Sequence, residues 1–197
     1  MKDPLLYKLV RPLLKGLFYI LFRPTIIGKE NIPKNKRIIL AGNHTNNLDC
    51  ILLIASTKRC IHFLAKDSLY KGIKKPIFKG MGIIPVNRKA KNKEALNVAE
   101  RTLNQNKVIG IFPEGTINRT KDIIMPFKIG AVKMASDTAS EIIPFSITGK
   151  YKLFNNKLTI IFDKPYKISN NELSFENKIL MDKVSKLIKK GEEYGNN

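Results

Sequence analysis

Residues 37–57 read RIILAGNHTNNLDCILLIAST, and the order of patterns in this stretch sets the architecture. The run from Ile38 to Ala41 is apolar on every position and too short for a helix, which predicts a strand buried on both faces. From Asp49 onward a longer apolar run predicts a helix. Between them lies a polar connection holding His44, and asparagines and aspartate in such a place supply turn and cap chemistry. Working outward, IHFLAK (61–66), IIPVN (83–87), KVIGIFPE (107–114), EIIPFSITG (141–149) and LTIIFD (158–163) read as further strands. DSLYKGIKKPIFKGMG (67–82) reads as one helix or two broken at Pro76. NKEALNVAERTLNQN (92–106) has Ala95, Val98, Ala99 and Leu103 on one helical face, and FKIGAVKMASDT (127–138) has Ile129, Val132 and Ala135 in register. A closing helix runs from about Glu172 to Tyr194. Strands alternating with helices predict an α/β sandwich on a substantially parallel sheet. The short YKLFNN turn (151–156) and Pro165 predict antiparallel pairing near the end, so the sheet is expected to be mixed.

The chain has 197 residues, enough for one good core and too few for two comfortable domains. Its 36 Lys and Arg against 16 Asp and Glu leave a formal charge of +20, which points to an anionic neighbour: nucleic acid, a membrane surface or a phosphorylated substrate. Nucleic acid fits poorly. There is no RRM, helix-turn-helix or zinc-finger pattern, and the aromatic residues sit in apolar runs rather than beside lysines. Cys50 and Cys60 stand apart with no CxxC, and the two histidines do not complete a regular zinc set with them, so no metal is expected.

The amino-terminal stretch DPLLYKLVRPLLKGLFYILFRP (3–24) is strongly apolar but interrupted by Lys8, Arg11 and Lys15. Pro4 and Pro12 each suit a first helical position, which predicts a pair of short amphipathic helices within residues 1–26. A helix from Pro12 to Phe22 reaches only about 16 Å, against about 30 Å of bilayer hydrocarbon. Such a helix suits the headgroup boundary of a membrane or the outside of the protein's own core.

His44 and Asp49 carry the chemistry. Five positions on a regular helix leave side chains about 140° apart, so a bond between them requires His44 to stand before the helix begins. Asn46 or Asn47 capping the helix would permit this. An aspartate bonded to one ring nitrogen fixes the tautomer and leaves the other basic, able to take a proton from a hydroxyl. Glu114 and the pair Asn87-Arg88 stand at the ends of other strands, where binding groups of open α/β sheets gather. The second histidine, His62, alternates with Ile61 and Phe63 and reads as a partly exposed structural residue. Cys50 reads as a small hydrophobe inside a helix rather than a nucleophile.

These motifs resemble a known family. NHTNNLD (43–49) is similar to the NHxxxxD motif of the glycerolipid acyltransferases, particularly the bacterial 1-acyl-glycerol-3-phosphate acyltransferases. GIIPVNR (82–88), FPEGT (112–116) and IIPF (142–145) resemble that family's second, third and fourth motifs, in order. FLAKDSLY and PFKIGAVKMA are similar to segments between them, so the likeness covers roughly residues 28–149. One departure stands out: Ile117 occupies the position where the family commonly has arginine, with Asn118-Arg119 following.

The resemblance implies an acyltransferase domain over residues 27–197. It implies transfer of a fatty acyl group from acyl-CoA or acyl carrier protein to the free hydroxyl of a lysophospholipid, 1-acyl-sn-glycerol-3-phosphate, yielding phosphatidic acid. No cofactor is required. His44 and Asp49 are the implied catalytic pair, and Arg88, Glu114, Gly115, Thr116, Arg119 and Lys66 the implied substrate-binding residues. The arginines offer forked donors to a phosphate, and Lys66 offers a point charge. Glu114 is expected to orient an arginine or hold a glycerol hydroxyl. Another lysophospholipid, or glycerol-3-phosphate, is the alternative acceptor. A tail of about fourteen methylenes carries on the order of 11 kcal/mol of transfer energy, so such substrates stay in the bilayer. The enzyme is then expected on the cytoplasmic face of the cell membrane, peripheral or monotopic, held by its apolar helices and by lysines near anionic lipid.

Overall fold

The computed structural model, which describes residues 3–70, 72, 74–86, 93–154 and 157–196, pairs the apolar runs into one sheet. Its strands are β1 (Thr25–Ile27), β2 (Ile38–Gly42), β3 (Ile61–Lys66), β4 (Ile84–Val86), β5 (Val108–Ile111), β6 (Glu141–Thr148) and β7 (Thr159–Phe162). They lie in the order β1-β7-β6-β2-β5-β3-β4. From β6 to β4 the neighbours are parallel, whereas β7 runs antiparallel to β6 and β1 runs parallel to β7. The expected mixed, substantially parallel sheet is therefore what forms.

The helices are α1 (Leu5–Phe22), α2 (Asp49–Ser56), α3 (Lys74–Gly80), α4 (Lys93–Asn104), α5 (Gly130–Thr138) and α6 (Leu173–Asn196). Side chains alternate across a strand, so each strand feeds two cores. Ile38 and Leu40 of β2 join Tyr7, Phe18 and Phe22 of α1 and Leu52 and Leu53 of α2 on one face. Ile39 and Ala41 join Ala99 and Leu103 of α4, Val132 of α5 and Leu180 and Val184 of α6 on the other. This double coverage explains why β2 is apolar at every position.

Several expectations need correction. The amino-terminal pair of helices is a single helix, α1, with Pro12 inside it. Proline forgoes the bond to the Lys8 carbonyl, a local cost of about 3 kcal/mol in a helix interior. Contacts on both sides of Pro12 offset it. Tyr7, Phe18 and Phe22 are buried, the Tyr7 hydroxyl donates to the Arg59 carbonyl, and Arg11 Nε donates to the Thr57 carbonyl. Pro76 does not break a helix either; it lies in the first turn of α3, where its missing N–H costs little. Strand β1 has no counterpart in the sequence reading. Val98 and Ile129 are exposed rather than buried, Val98 lying off the line of Ala95, Ala99 and Leu103, and Ile129 preceding the first turn of α5.

Candidate active site

Strands β2 and β5 are parallel neighbours in the middle of the sheet, so their carboxyl ends open at the same edge. The connection from β2 enters α2 on one face, while that from β5 leads to α5 on the other. Divergence of this kind leaves a crevice between the two loops, the usual binding position of open α/β sheets. His44 occupies it from β2, and the FPEGT loop from β5.

Gly42 makes the approach possible. A Cβ on Gly42 would lie 2.5 Å from the Phe145 ring, so only glycine lets β2 continue beside β6 at this point. Asn43 then extends that pairing with its side chain, which donates to the Ile147 carbonyl and accepts from the Ile147 N–H, both at 2.8 Å. The next residue is His44, whose ring stacks on Phe112 with centroids 4.1 Å apart and planes 15° from parallel.

His44 Nδ1 lies 2.8 Å from Asp49 Oδ2. An ionised carboxylate only accepts, so Nδ1 carries the proton and Nε2 keeps its lone pair. The His44 side chain is 17% exposed and that of Asp49 is 0% exposed. Burying a carboxylate demands donors, and the loop supplies them. Oδ2 accepts the backbone N–H groups of Thr45 and Asn46 at 2.6 and 2.9 Å, and Oδ1 accepts the Thr45 hydroxyl at 3.1 Å. The asparagines do not cap α2 as expected. Its cap residue is Leu48, and the Asn46 side chain instead accepts the Leu48 N–H at 3.0 Å, folding the turn that returns Asp49 to His44.

Glu114 is buried, and both its oxygens are used. Oε1 accepts the His44 backbone N–H at 2.8 Å, and Oε2 accepts the Met125 N–H at 2.9 Å. Among the described residues its partners are these two backbone N–H groups rather than an arginine, and they join the FPEGT loop to the histidine. Burial raises its pKa above the ordinary carboxylate range, against the lowering effect of the Met125 and His44 N–H groups. The Asn118 N–H donates to the His44 carbonyl at 2.8 Å, so both backbone polar groups of His44 end in one loop. Gly115 turns that loop at φ +75°, a left-handed conformation natural to glycine.

The remaining expected residues are placed less tightly. Thr116 and Arg119 are exposed on the same loop, and Ile117 between them is half-buried. Lys66 is exposed at the end of β3, two strands from β2 and about 10 Å away by strand spacing. Arg88 and Asn87 lie outside the described residues. His62 is 4% exposed, not partly exposed as expected. The Cys50 thiol, inside α2, is pushed up to about 12 by burial and then by the charge of Asp49, which keeps it un-ionised at neutral pH.

Tyr151 was not foreseen. Its hydroxyl donates to Asp49 Oδ1 at 2.5 Å, completing the carboxylate's set of donors. Its ring meets Phe18 and Phe22 of α1 edge-on, at 6.2 and 5.8 Å. Burial, and then the Asp49 charge, raise its pKa well above the usual phenol value, so it stays a donor. Nothing in the local sequence pairs residue 151 with residue 49; the only trace is an aromatic two residues after the glycine that follows β6.

Comparison with known proteins shows the family and the fold. The chain is 35% identical over 144 residues to a 1-acyl-sn-glycerol-3-phosphate acyltransferase of Borreliella burgdorferi, covering 68% of this chain and 57% of that relative's length. It is 26% identical over 166 residues to one of Bacillus subtilis, covering 81% of this chain and 82% of the relative. The crystal structure of the 1-acyl-sn-glycerophosphate acyltransferase PlsC from Thermotoga maritima superposes with a TM-score of 0.76, over 97% of this chain and 80% of that one. At 22% identity that likeness speaks for the fold. The model of the family described as Acyltransferase matches residues 23–148, well over half of the chain and both loops that carry His44 and Glu114, and the chain belongs to that family.

Proposed function

We propose that this chain transfers a fatty acyl group from a thioester, acyl-CoA or acyl carrier protein, to the free hydroxyl of 1-acyl-sn-glycerol-3-phosphate, forming phosphatidic acid. One observation carries the reading: the imidazole of His44 is held by Asp49 while its backbone is held by Glu114, so two distant motifs build one base. His44 Nε2 takes the hydroxyl proton as the oxygen attacks the thioester carbonyl. Asp49 stabilises the imidazolium. When the tetrahedral intermediate collapses, the carbon–sulfur bond breaks and the imidazolium returns the proton to the leaving thiolate. Phe112, stacked on the ring, and Tyr151, bonded to Asp49, restrict the pair to one orientation.

Arg119, exposed on the FPEGT loop, Lys66, exposed at the end of β3, and Arg88 are the proposed phosphate contacts, and the FPEGT loop with Gly115 and Thr116 is the proposed acceptor edge. The names of the Borreliella and Bacillus relatives support 1-acyl-sn-glycerol-3-phosphate as acceptor. Side-by-side assays with this lysophospholipid, a zwitterionic lysophospholipid and glycerol-3-phosphate, each with acyl-CoA and acyl carrier protein, test it. The highest kcat/KM is expected for 1-acyl-sn-glycerol-3-phosphate. Preference for another acceptor would trace to Ile117 and overturn the head-group assignment.

Residues 1–26 are proposed as the membrane seat. Leu5, Leu9, Leu13, Leu17 and Ile20 of α1 are exposed, and helical spacing gathers them within an arc of about 120°. Removing five such side chains from water is worth on the order of 10 kcal/mol gross. No helix of the described residues is long and apolar enough to cross a membrane, which suits a helix lying at the surface of the cytoplasmic leaflet. The L9Q/L13Q/L17Q variant leaves the buried Tyr7, Phe18 and Phe22 untouched. It is expected to lose sedimentation with anionic liposomes, and undiminished sedimentation refutes the seat.

A further inference from the structure

The segment that follows β6 carries a second apolar surface that no core contact explains. Leu153 is 55% exposed and Phe154 63% exposed, and Phe154 sits at φ +57°, a left-handed conformation that a bulky residue rarely adopts. The position of this tip is set by two bonds. The Phe154 N–H donates to the Leu21 carbonyl at 2.6 Å, satisfying a carbonyl of the last turn of α1 that has no partner within the helix. Three residues earlier, the Tyr151 hydroxyl donates to Asp49. Three residues of extended chain span at most about 11 Å, so the tip stands within that reach of the tyrosine that touches the dyad. It also adjoins the end of α1 where Ile20 is exposed.

We propose that Leu153 and Phe154 form a second lipid-contacting element, which enters an anionic bilayer beside α1 and presents the crevice of His44 at the headgroup level. The charge around the tip matches that partner: Lys150 and Lys152 are exposed on it, and Lys8, Lys15 and Arg23 are exposed on and just beyond α1. Apolar side chains that insert, ringed by cations that stay in the headgroup layer, are the arrangement expected of an interfacial segment. The tip is tied to α1 at one end and to Asp49 at the other, so insertion fixes the height of the dyad above the hydrocarbon. An acceptor hydroxyl lies at that height while its acyl chain remains in the membrane. The proposal rests on the membrane seat of α1 suggested above.

The chain contains no tryptophan, so single tryptophans report without background. F154W, L153W and L13W are each mixed with phosphatidylglycerol-rich vesicles whose acyl chains are brominated. Circular dichroism checks that each variant remains folded. Blue-shifted emission and bromine quenching are expected for L13W and for both tip variants. If L13W is quenched while F154W and L153W keep the emission they show in buffer, the tip proposal falls and the α1 seat stands. If none of the three responds, both fall.

Discussion

The two histidines of this chain use the same ring nitrogen for opposite ends. His44 Nδ1 faces a carboxylate in a crevice, and His62 Nδ1 faces the Gly82 carbonyl at 2.8 Å inside the protein. A neutral carbonyl in a low-dielectric setting does little to stabilise a charged ring. His62 accordingly has its pKa lowered, chiefly by burial, with the positive charge of Lys107 adding to that and the Gly82 bond opposing it. Gly82 packs so closely that a Cβ there would lie 2.6 Å from His62 Nδ1. One histidine has a carboxylate partner and stands at a crevice, and the other has a carbonyl partner and is buried. The difference comes from the partner and the setting, since both rings lie in or just after strands of the same sheet.

The widest separation between the two is expected from H44A, which should lower kcat by roughly 10²–10⁴ while leaving the melting temperature nearly unchanged. H62Q, which touches no reacting group, should leave kcat nearly unchanged. Equal losses in the two variants would collapse the distinction. Next in size is E114Q. Its amide must turn an N–H toward the N–H of either His44 or Met125, leaving a buried donor unmet at a cost of about 1–3 kcal/mol. If the loss is felt in the transition state, kcat falls roughly tenfold to a hundredfold with little change in KM. A variant with intact kcat would mean that the bond to His44 is not needed to aim the ring.

Y151F sharpens the comparison further. It removes one donor to a charged group and leaves the ring packed against α1, so a drop of about tenfold in kcat is expected. Thermal stability should follow the hydrogen bond alone. A fall in KM or stability with kcat intact would assign Tyr151 to packing rather than to positioning Asp49. The smallest effect concerns stability against pH. Because the folded-state pKa of His62 lies below its unfolded value of about 6.5, the unfolded chain binds the extra proton first. Stability should therefore fall as pH drops below about 6.5, until the folded pKa is passed. Urea unfolding from pH 7.5 to 5 should show a shallower slope for H62Q than for the parent chain, and identical slopes would contradict the assignment.

Much of this was legible in the sequence where partners are near each other. IHFLAK is β3 from end to end, and the apolar run of β2 announced a strand covered on both faces. The rule that five helical positions do not face each other required His44 to stand before the helix for it to meet Asp49, and α2 begins at Asp49 itself. Local rules also misled. Proline signals divided α1 at Pro12, although tertiary contacts at Tyr7 and Phe18 hold a single helix together. Strand β1 was invisible because three residues carry no period, and its partner β7 begins at Thr159.

What the sequence determined alone is the chemistry of residues 38–49: a glycine-ended strand, a turn of asparagines and a carboxylate able to reach back to an imidazole. What tertiary structure decided is the company that the imidazole keeps. Glu114 holds the His44 backbone across 70 positions, and Tyr151 reaches Asp49 across 102. Hydrogen bonds of that range depend on which strands become neighbours. Strand order is set by the burial of two apolar faces at once, and no short stretch of chain contains that information.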